Sequence, residues 1–244
     1  MANPSFPPNE QHIVSAYDRD LEGIQAMIMK MGGLVETAIT DAAASLDARD
    51  DESAARVREG DKAIDALEEQ VAQEVARLIA LRAPMGADLR TTLTVLKISG
   101  NLERVGDYAK NMAKRTGVLV QLDPIEGATT SIRRMCRAVE AMLKDALDAY
   151  IQRDADLAMD VRERDREIDQ MYNALFREFL TYMMEDPRSI TACMHLHFIA
   201  KNTERMGDHV TSIAEQVIYL VTGEMPDEPR PKDSKAAYEI DHSE

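Results

Sequence analysis

Two stretches of the chain carry one phrase, NLERVGDYAKNMAKR at 101–115 and NTERMGDHVTSIAEQ at 202–216, and both keep Asn, Glu, Arg, Gly and Asp in the same places. In each copy a Glu precedes an Asp by four residues, Glu103/Asp107 and Glu204/Asp208. On a helix that spacing stacks two carboxylates on one face, where they repel unless a cation stands between them. The duplication runs upstream: GDKAIDAL (60–67) matches RDREIDQM (164–171), and LDARDDESA (46–54) matches YIQRDADLA (150–158). Further back, Met31 meets Met135, Val35 meets Val139, Glu36 meets Glu140 and Asp41 meets Asp145. A small change of offset is absorbed between Leu81 and Arg90, which marks a loop. The chain is thus two tandem copies of a unit of about 100 residues, each long enough to be a domain.

Composition narrows the class. Apolar residues make up 45%, charged residues 30% and aromatics only 5%, with 15 Met and no Trp, which is usage typical of helical proteins. A formal charge of −15 argues against a surface built for phosphate backbones or anionic lipid, so nucleic-acid binding is not expected. Cys136 and Cys193 lack CxxC spacing and fall inside helical patterns, which predicts two buried, reduced thiols. The opening MANPSFPPNEQH has neither a basic start nor an apolar run, and no stretch approaches the ~20 apolar residues of a membrane span. These absences point to the cytoplasm, with no direct membrane insertion.

Between the ends the periodicity predicts six helices, near 13–48, 52–82, 87–120, 129–152, 155–184 and 188–222. Asp50 to Glu52 and Asp154 to Asp156 are acidic turns that can cap the helices following them. Pro84 and Pro187 interrupt the other turns, and Asp123-Pro124 with Gly127 separates the halves. Long helices joined by short turns fold back antiparallel. The expected fold class is therefore all-α: two tandem antiparallel three-helix bundles, with repeats over 13–122 and 128–223 flanked by disordered tails at 1–12 and 224–244. The third helix of each unit shows its core stripe plainly. Val95, Ile98, Leu102, Val105, Ala109 and Met112 form it in the first, and Leu196, Ile199, Thr203, Met206, Val210 and Ile213 in the second.

A second acidic pair lies one helix earlier in each unit, Asp61/Asp65 and Asp165/Asp169. Residues equidistant from the turn of an antiparallel hairpin share one height. The midpoints between acidic pairs fall at Pro84 and at the Asp186-Pro187 junction, so each hairpin brings four carboxylates to one level. A single acidic pair on a helix is ordinarily a solvated face. Duplication and registration instead favour a hard cation at Asp61, Asp65, Glu103 and Asp107, and again at Asp165, Asp169, Glu204 and Asp208. Carboxylates held neutral, or paired to Arg104 and Arg205, are the other reading. All-oxygen ligation favours Mg, Mn or Fe, with Zn possible. Asn101 and Asn202 are candidate outer donors, while Glu36, Glu140, Asp41 and Asp145 stand near the right height to add ligands. Gly106 and Gly207 suggest close backbone approach. His197 has Leu96 at the matching place in the other half and reads as an ordinary core or surface histidine.

A di-metal helical-bundle enzyme would need Glu-x-x-His pairs on facing helices. None falls within the helices, and neither a nucleophile with an adjacent base nor a phosphate-cradling glycine loop is present, so no enzymatic activity is expected. A metal-free helical adaptor keeps the fold and discards the sites.

The duplicated NLERVGDYA and NTERMGDHV, with MGGLVETAI at 31–39 and LRAPMGADLR at 81–90, closely resemble the PhoU family of phosphate-signalling regulators over about residues 12–223. The resemblance implies six helices in two three-helix repeats, and, as in some members, multinuclear metal clusters on paired E(D)xxxD motifs. Those motifs map onto Asp61/Asp65 with Glu103/Asp107 and Asp165/Asp169 with Glu204/Asp208. It also implies a cytoplasmic, often homodimeric, negative regulator of the phosphate regulon that couples the phosphate ABC transporter, through its ATPase, to a sensor histidine kinase. Both helix-two motifs here begin with Asp, which shortens reach by a methylene and leaves the nuclearity of a cluster open.

Overall fold

A computed structural model describes residues 8–226. It contains six α-helices and, among the described residues, no strand: α1 (Pro8–Ala48), α2 (Asp51–Arg82), α3 (Ala87–Leu119), α4 (Ala128–Gln152), α5 (Ala155–Glu185) and α6 (Ile190–Thr222), with a 3-10 turn at Pro187–Ser189 before α6. The helix starts that the acidic turns announce are capped alike in both halves. The Asp50 carboxylate accepts from the backbone N–H of Glu52 at 3.0 Å and of Ser53 at 3.1 Å. Asp154 does the same for Asp156 and Leu157, each at 3.0 Å. One boundary differs. The first helix begins at Pro8, so residues 8–12, assigned to a tail from sequence, are helical. A proline in the opening turn costs nothing there, because its missing N–H has no intrahelical partner to lose. The expected tails at 1–7 and 227–244 lie outside the described residues.

Within each half the second helix lies across the other two, α2 on α1 and α3, and α5 on α4 and α6. The halves join through α1 against α4 and α3 against α6. All twelve residues of the two expected core stripes are buried. The α3–α6 seam is antiparallel along its length: Arg90 lies over the Tyr219 ring, Asn101 Oδ1 meets His209 Nδ1 at 2.9 Å, and Arg115 stacks over Phe198 at 4.3 Å. The turns of the α2–α3 and α5–α6 hairpins therefore sit at opposite ends of the molecule. Each presents a methionine to solvent, Met85 (82% exposed) and Met184 (84%).

Arg49 closes the junction between the halves. Left-handed itself (φ 53°), it turns the chain out of α1 and donates from one guanidinium nitrogen to the carbonyls of Leu119, Val120 and Leu122 at 2.8, 3.1 and 2.5 Å. Leu119 is the last residue of α3 and Val120 its C-cap, so their carbonyls have no intrahelical N–H to accept from, and the guanidinium ties them to the Leu122 carbonyl of the linker. Both cysteines are free and buried, as expected. Burial pushes the Cys136 thiol up to about 12, so it is inert as a nucleophile at neutral pH.

Two outcomes test the caps. Asp154→Ala should lower the unfolding free energy by about 1 kcal/mol in urea denaturation. Asp50 is held below its ordinary 3.8 by its hydrogen bonds to Ser53 and Glu52. A depressed carboxyl stabilises above its unfolded value and loses that contribution as pH falls through its folded value. Stability of the parent chain should therefore fall more steeply below about pH 4 than that of Asp50→Ala.

Candidate functional site

The short turn between α2 and α3 sets these helices antiparallel, and the registered acidic residues meet across the seam. Asp61 precedes Ile64 by one helical turn and shares its inward face, so its carboxylate is buried (3% exposed). Gly106 on α3 makes the room: a Cβ there would come within 3.0 Å of Ile64 Cδ1 and 3.5 Å of Asp61 Oδ1. Lys110, one turn beyond Asp107, extends its ammonium into the seam, donating to Asp61 Oδ2 and, at 2.9 Å, to Asp107 Oδ1. Burial raises the Asp61 carboxyl above its ordinary value against the Lys110 hydrogen bond, and the charges of Asp65 and Asp107 push the same way. Burial also raises Glu103, reinforced by Asp107 and opposed by Arg104. Arg104 lies along the outside, 3.7 Å from both Glu103 and Asp107. Asp65 is the exposed member of the four.

The α5–α6 hairpin repeats this frame with a different cation. Asp165 takes the place of Asp61 and is buried to the same degree, and a Cβ at Gly207 would come within 3.3 Å of its Oδ1. Glu204 is deeper than Glu103, at 9% exposed. Its Oε1 accepts from Lys201 Nζ at 2.7 Å, while its Oε2 is buried without a partner. Burial raises its carboxyl above the ordinary value, Lys201 opposes this, and Asp208 and Asp169 add to it. Lys201 also lies over the Tyr172 ring at 4.9 Å. At the position matching Lys110 stands Thr211, fully buried, with Oγ1 unpartnered.

The remaining candidates lie elsewhere. Glu36 and Glu140 face one another across the α1–α4 seam: Glu36 is raised by burial and then by the Glu140 charge, with Lys144 opposing. Asp41 is exposed, and Asp145 pairs with Arg164 at 2.5 Å. Asn101 donates to the Lys97 carbonyl and bridges to His209 on α6, so it serves the joint between the halves. Asn202 is buried on α6. Arg205 lies over the Tyr108 ring at 5.9 Å, away from an ion-pair role at the hairpin. His197 packs among Tyr172, Phe176 and Phe198, as an ordinary histidine should. Sequence reasoning missed the two lysines. Lys110 follows Asp107 by three residues and sits at the height of Asp61 across the turn, and Lys201 precedes Glu204 by three; both spacings are visible in the sequence.

Chemically, each hairpin is a set of hard oxygen donors partly neutralised by an ammonium. Among the described residues, no three carboxylate, imidazole or thiolate groups stand together as a ready cage for a metal ion. The two hairpins share one feature: each ammonium takes one oxygen of a buried carboxylate, Lys110 that of Asp61 and Lys201 that of Glu204, and the other oxygen, Asp61 Oδ1 or Glu204 Oε2, is buried without a hydrogen-bond partner.

A family model described as the PhoU domain matches the chain twice, over residues 28–116 and 132–217. A phosphate-specific transport system accessory protein PhoU homolog of Caulobacter vibrioides is 47% identical over 222 residues, covering 91% of this chain and 96% of its own length. A protein of the same description from Zymomonas mobilis is 48% identical over 227 residues, covering 93% and 95%. The crystal structure of PhoU from Pseudomonas aeruginosa superposes with a TM-score of 0.83 at 38% identity, covering 85% of this chain and all of that one. The PhoU structure from Streptococcus pneumoniae gives a TM-score of 0.79 at 30% identity, covering 87% of this chain and all of that one.

Removing the Lys110 ammonium leaves Asp61 buried beside Asp65 and Asp107. Lys110→Met should therefore cost roughly 2–3 kcal/mol of stability, since a buried charge is left without its partner. Adding Asp61→Asn to that variant should recover part of the loss, and denaturant titration of the double-mutant cycle measures the coupling.

Proposed function

The chain belongs to the PhoU family, and on that premise we propose that it is an accessory protein of a phosphate transport system, acting through binding and catalysing no reaction of its own. The observation that carries this reading is the near-full-length identity to relatives named for that role, together with a domain matched in both halves. In finer terms the proposal is a negative regulator of the phosphate regulon in the cytoplasm, which links the ATPase of a phosphate ABC transporter to a phosphate-sensing histidine kinase and works as a homodimer. No helix among the described residues is long and apolar enough to cross a membrane, so contact with the transporter would be made from outside the bilayer.

A cation at the acidic hairpins is the second part of the proposal. It is supported by the oxygen-only donor set and by the unpartnered Glu204 Oε2, buried beside the charges of Asp208 and Asp169. Asp165, Asp169, Glu204 and Asp208 would hold the ion, a hard one such as Mg, Mn or Fe, with Zn also admissible. When bound, it would supply fixed positive charge between α5 and α6, and so set the spacing of the hairpin that partners meet.

Deletion of the gene should switch on phosphate-starvation genes in phosphate-rich medium, scored with a reporter of the regulon. Unchanged repression in the deletion strain rejects the regulatory role. Affinity capture of the transporter ATPase by the purified chain tests the partner separately, and light scattering tests the dimer.

A further inference from the structure

Beside the C-terminus of α6, where the described residues end at Pro226, lies an open groove of about 470 Å3 between α3 and α6. Leu89 and Leu93 line it from α3, and Tyr219 and Gly223 from α6. Leu93 is exposed, and so are Met85 and Met225, which adjoin lining residues in sequence. The groove carries one charge of each sign, Arg90 and Glu224. The Arg90 guanidinium lies over the Tyr219 ring at 5.8 Å and so close to Gly223 that a Cβ there would collide with it. Among the described residues, neither Arg90 nor Glu224 has an ion-pair partner. The first repeat shows what a segment following a third helix can do: beyond α3, Leu122 and Ile125 return to pack against the core. Beyond α6 the chain reads DEPRPKDSKAAYEIDHSE over 227–244, and its apolar residues other than proline are confined to 236–240. In extended form Tyr238 and Ile240 share one face and Glu239 takes the other.

We propose that the groove is a docking site for this chain's own C-terminal segment, residues 235–240, with Tyr238 set against Leu89 and Leu93, Glu239 toward Arg90 and Lys235 toward Glu224. The charges match in pairs, and the apolar side chains of the segment have no other apolar neighbours within the tail. Reach is ample. The stretch from Pro226 to Tyr238 can span about 40 Å when extended, whereas Gly86 and Leu93 are about 10 Å apart along α3. The short loop that results closes at small entropic cost. Tethering beside the groove also gives the segment an effective concentration that a free competitor would have to exceed. The docked segment withdraws this side of the α2–α3 turn from other contacts, so a partner approaching there must first displace it. The proposal is independent of the cation reading of the hairpins.

The test uses the full chain, which has no Trp, so that Tyr238→Trp supplies a single fluorescent reporter at the segment itself. Its emission should lie at shorter wavelength, and be quenched less by acrylamide, in the folded protein than in urea. Adding Leu93→Asp should move the emission to the value seen in urea, with far-UV circular dichroism showing that the helices remain. Met194→Asp, at the matching and exposed position of α6, should leave it unchanged. Arg90→Glu should shift the emission part of the way, and adding Glu239→Arg should restore it. The proposal is overturned if the reporter of the folded chain already emits as it does in urea, or if its emission is indifferent to Leu93→Asp. Emission that changes on dilution overturns it as well, because the segment then lies on a second copy. Should Leu93→Asp not fold, Arg90→Glu decides, a shift reversed by Glu239→Arg supporting the proposal and no shift rejecting it.

Discussion

A carboxylate buried between two helices persists only where a positive charge or a set of donors answers it, because the interior cannot solvate it as water does. Asp61 and Asp165 impose that requirement on both hairpins, at matched positions on the inward faces of α2 and α5. Much of the surrounding sequence follows from it. Gly106 and Gly207 let the facing helix come close enough to cover the aspartates, and the apolar stripes above and below keep water out of the seam. Arg104 and the two lysines divide the work of compensation, Arg104 from outside the first seam, Lys110 from within it and Lys201 beside Glu204 in the second.

The repeat itself made the architecture legible. A phrase duplicated with its glycine and carboxylates intact fixes which faces of the third helices turn inward, and the acidic turns at Asp50 and Asp154 announce the caps that open α2 and α5. That Asp61 and Asp107 share one level across the α2–α3 turn was legible for the same reason, since heights follow from counting outward from the turn. What the pattern concealed is how the charge is balanced. Lys110 and Lys201 fall at non-equivalent positions, so a search for shared residues passes over both. Glu36 and Glu140 are equivalent and at about the right height, yet they meet each other, because the face of α1 that carries Glu36 is turned to α4. Height along a helix is readable from a hairpin, whereas the azimuth of a third helix depends on what packs behind it. The start of α1 at Pro8 was hidden by a composition rich in Pro and Asn, residues that also suit the first turn of a helix.

Joining the halves uses both shared and diverged residues. His209, Arg115 and Phe198 have no identical counterparts in the other copy, yet with Asn101 they hold the α3–α6 seam. Arg49 performs a comparable service at the end of α3, where one side chain occupies three carbonyls at the linker between repeats.

Because α3 and α6 run antipodally, the molecule has no top or bottom shared by its two hairpin tips. A helix of 33 residues is about 50 Å long, so Met85 and Met184 stand at the far ends of a rod. A body resting on one leaves the other bare. The chain is shaped as a strut with two similar but unequal heads, and each head can meet its surroundings without regard to what lies against the other.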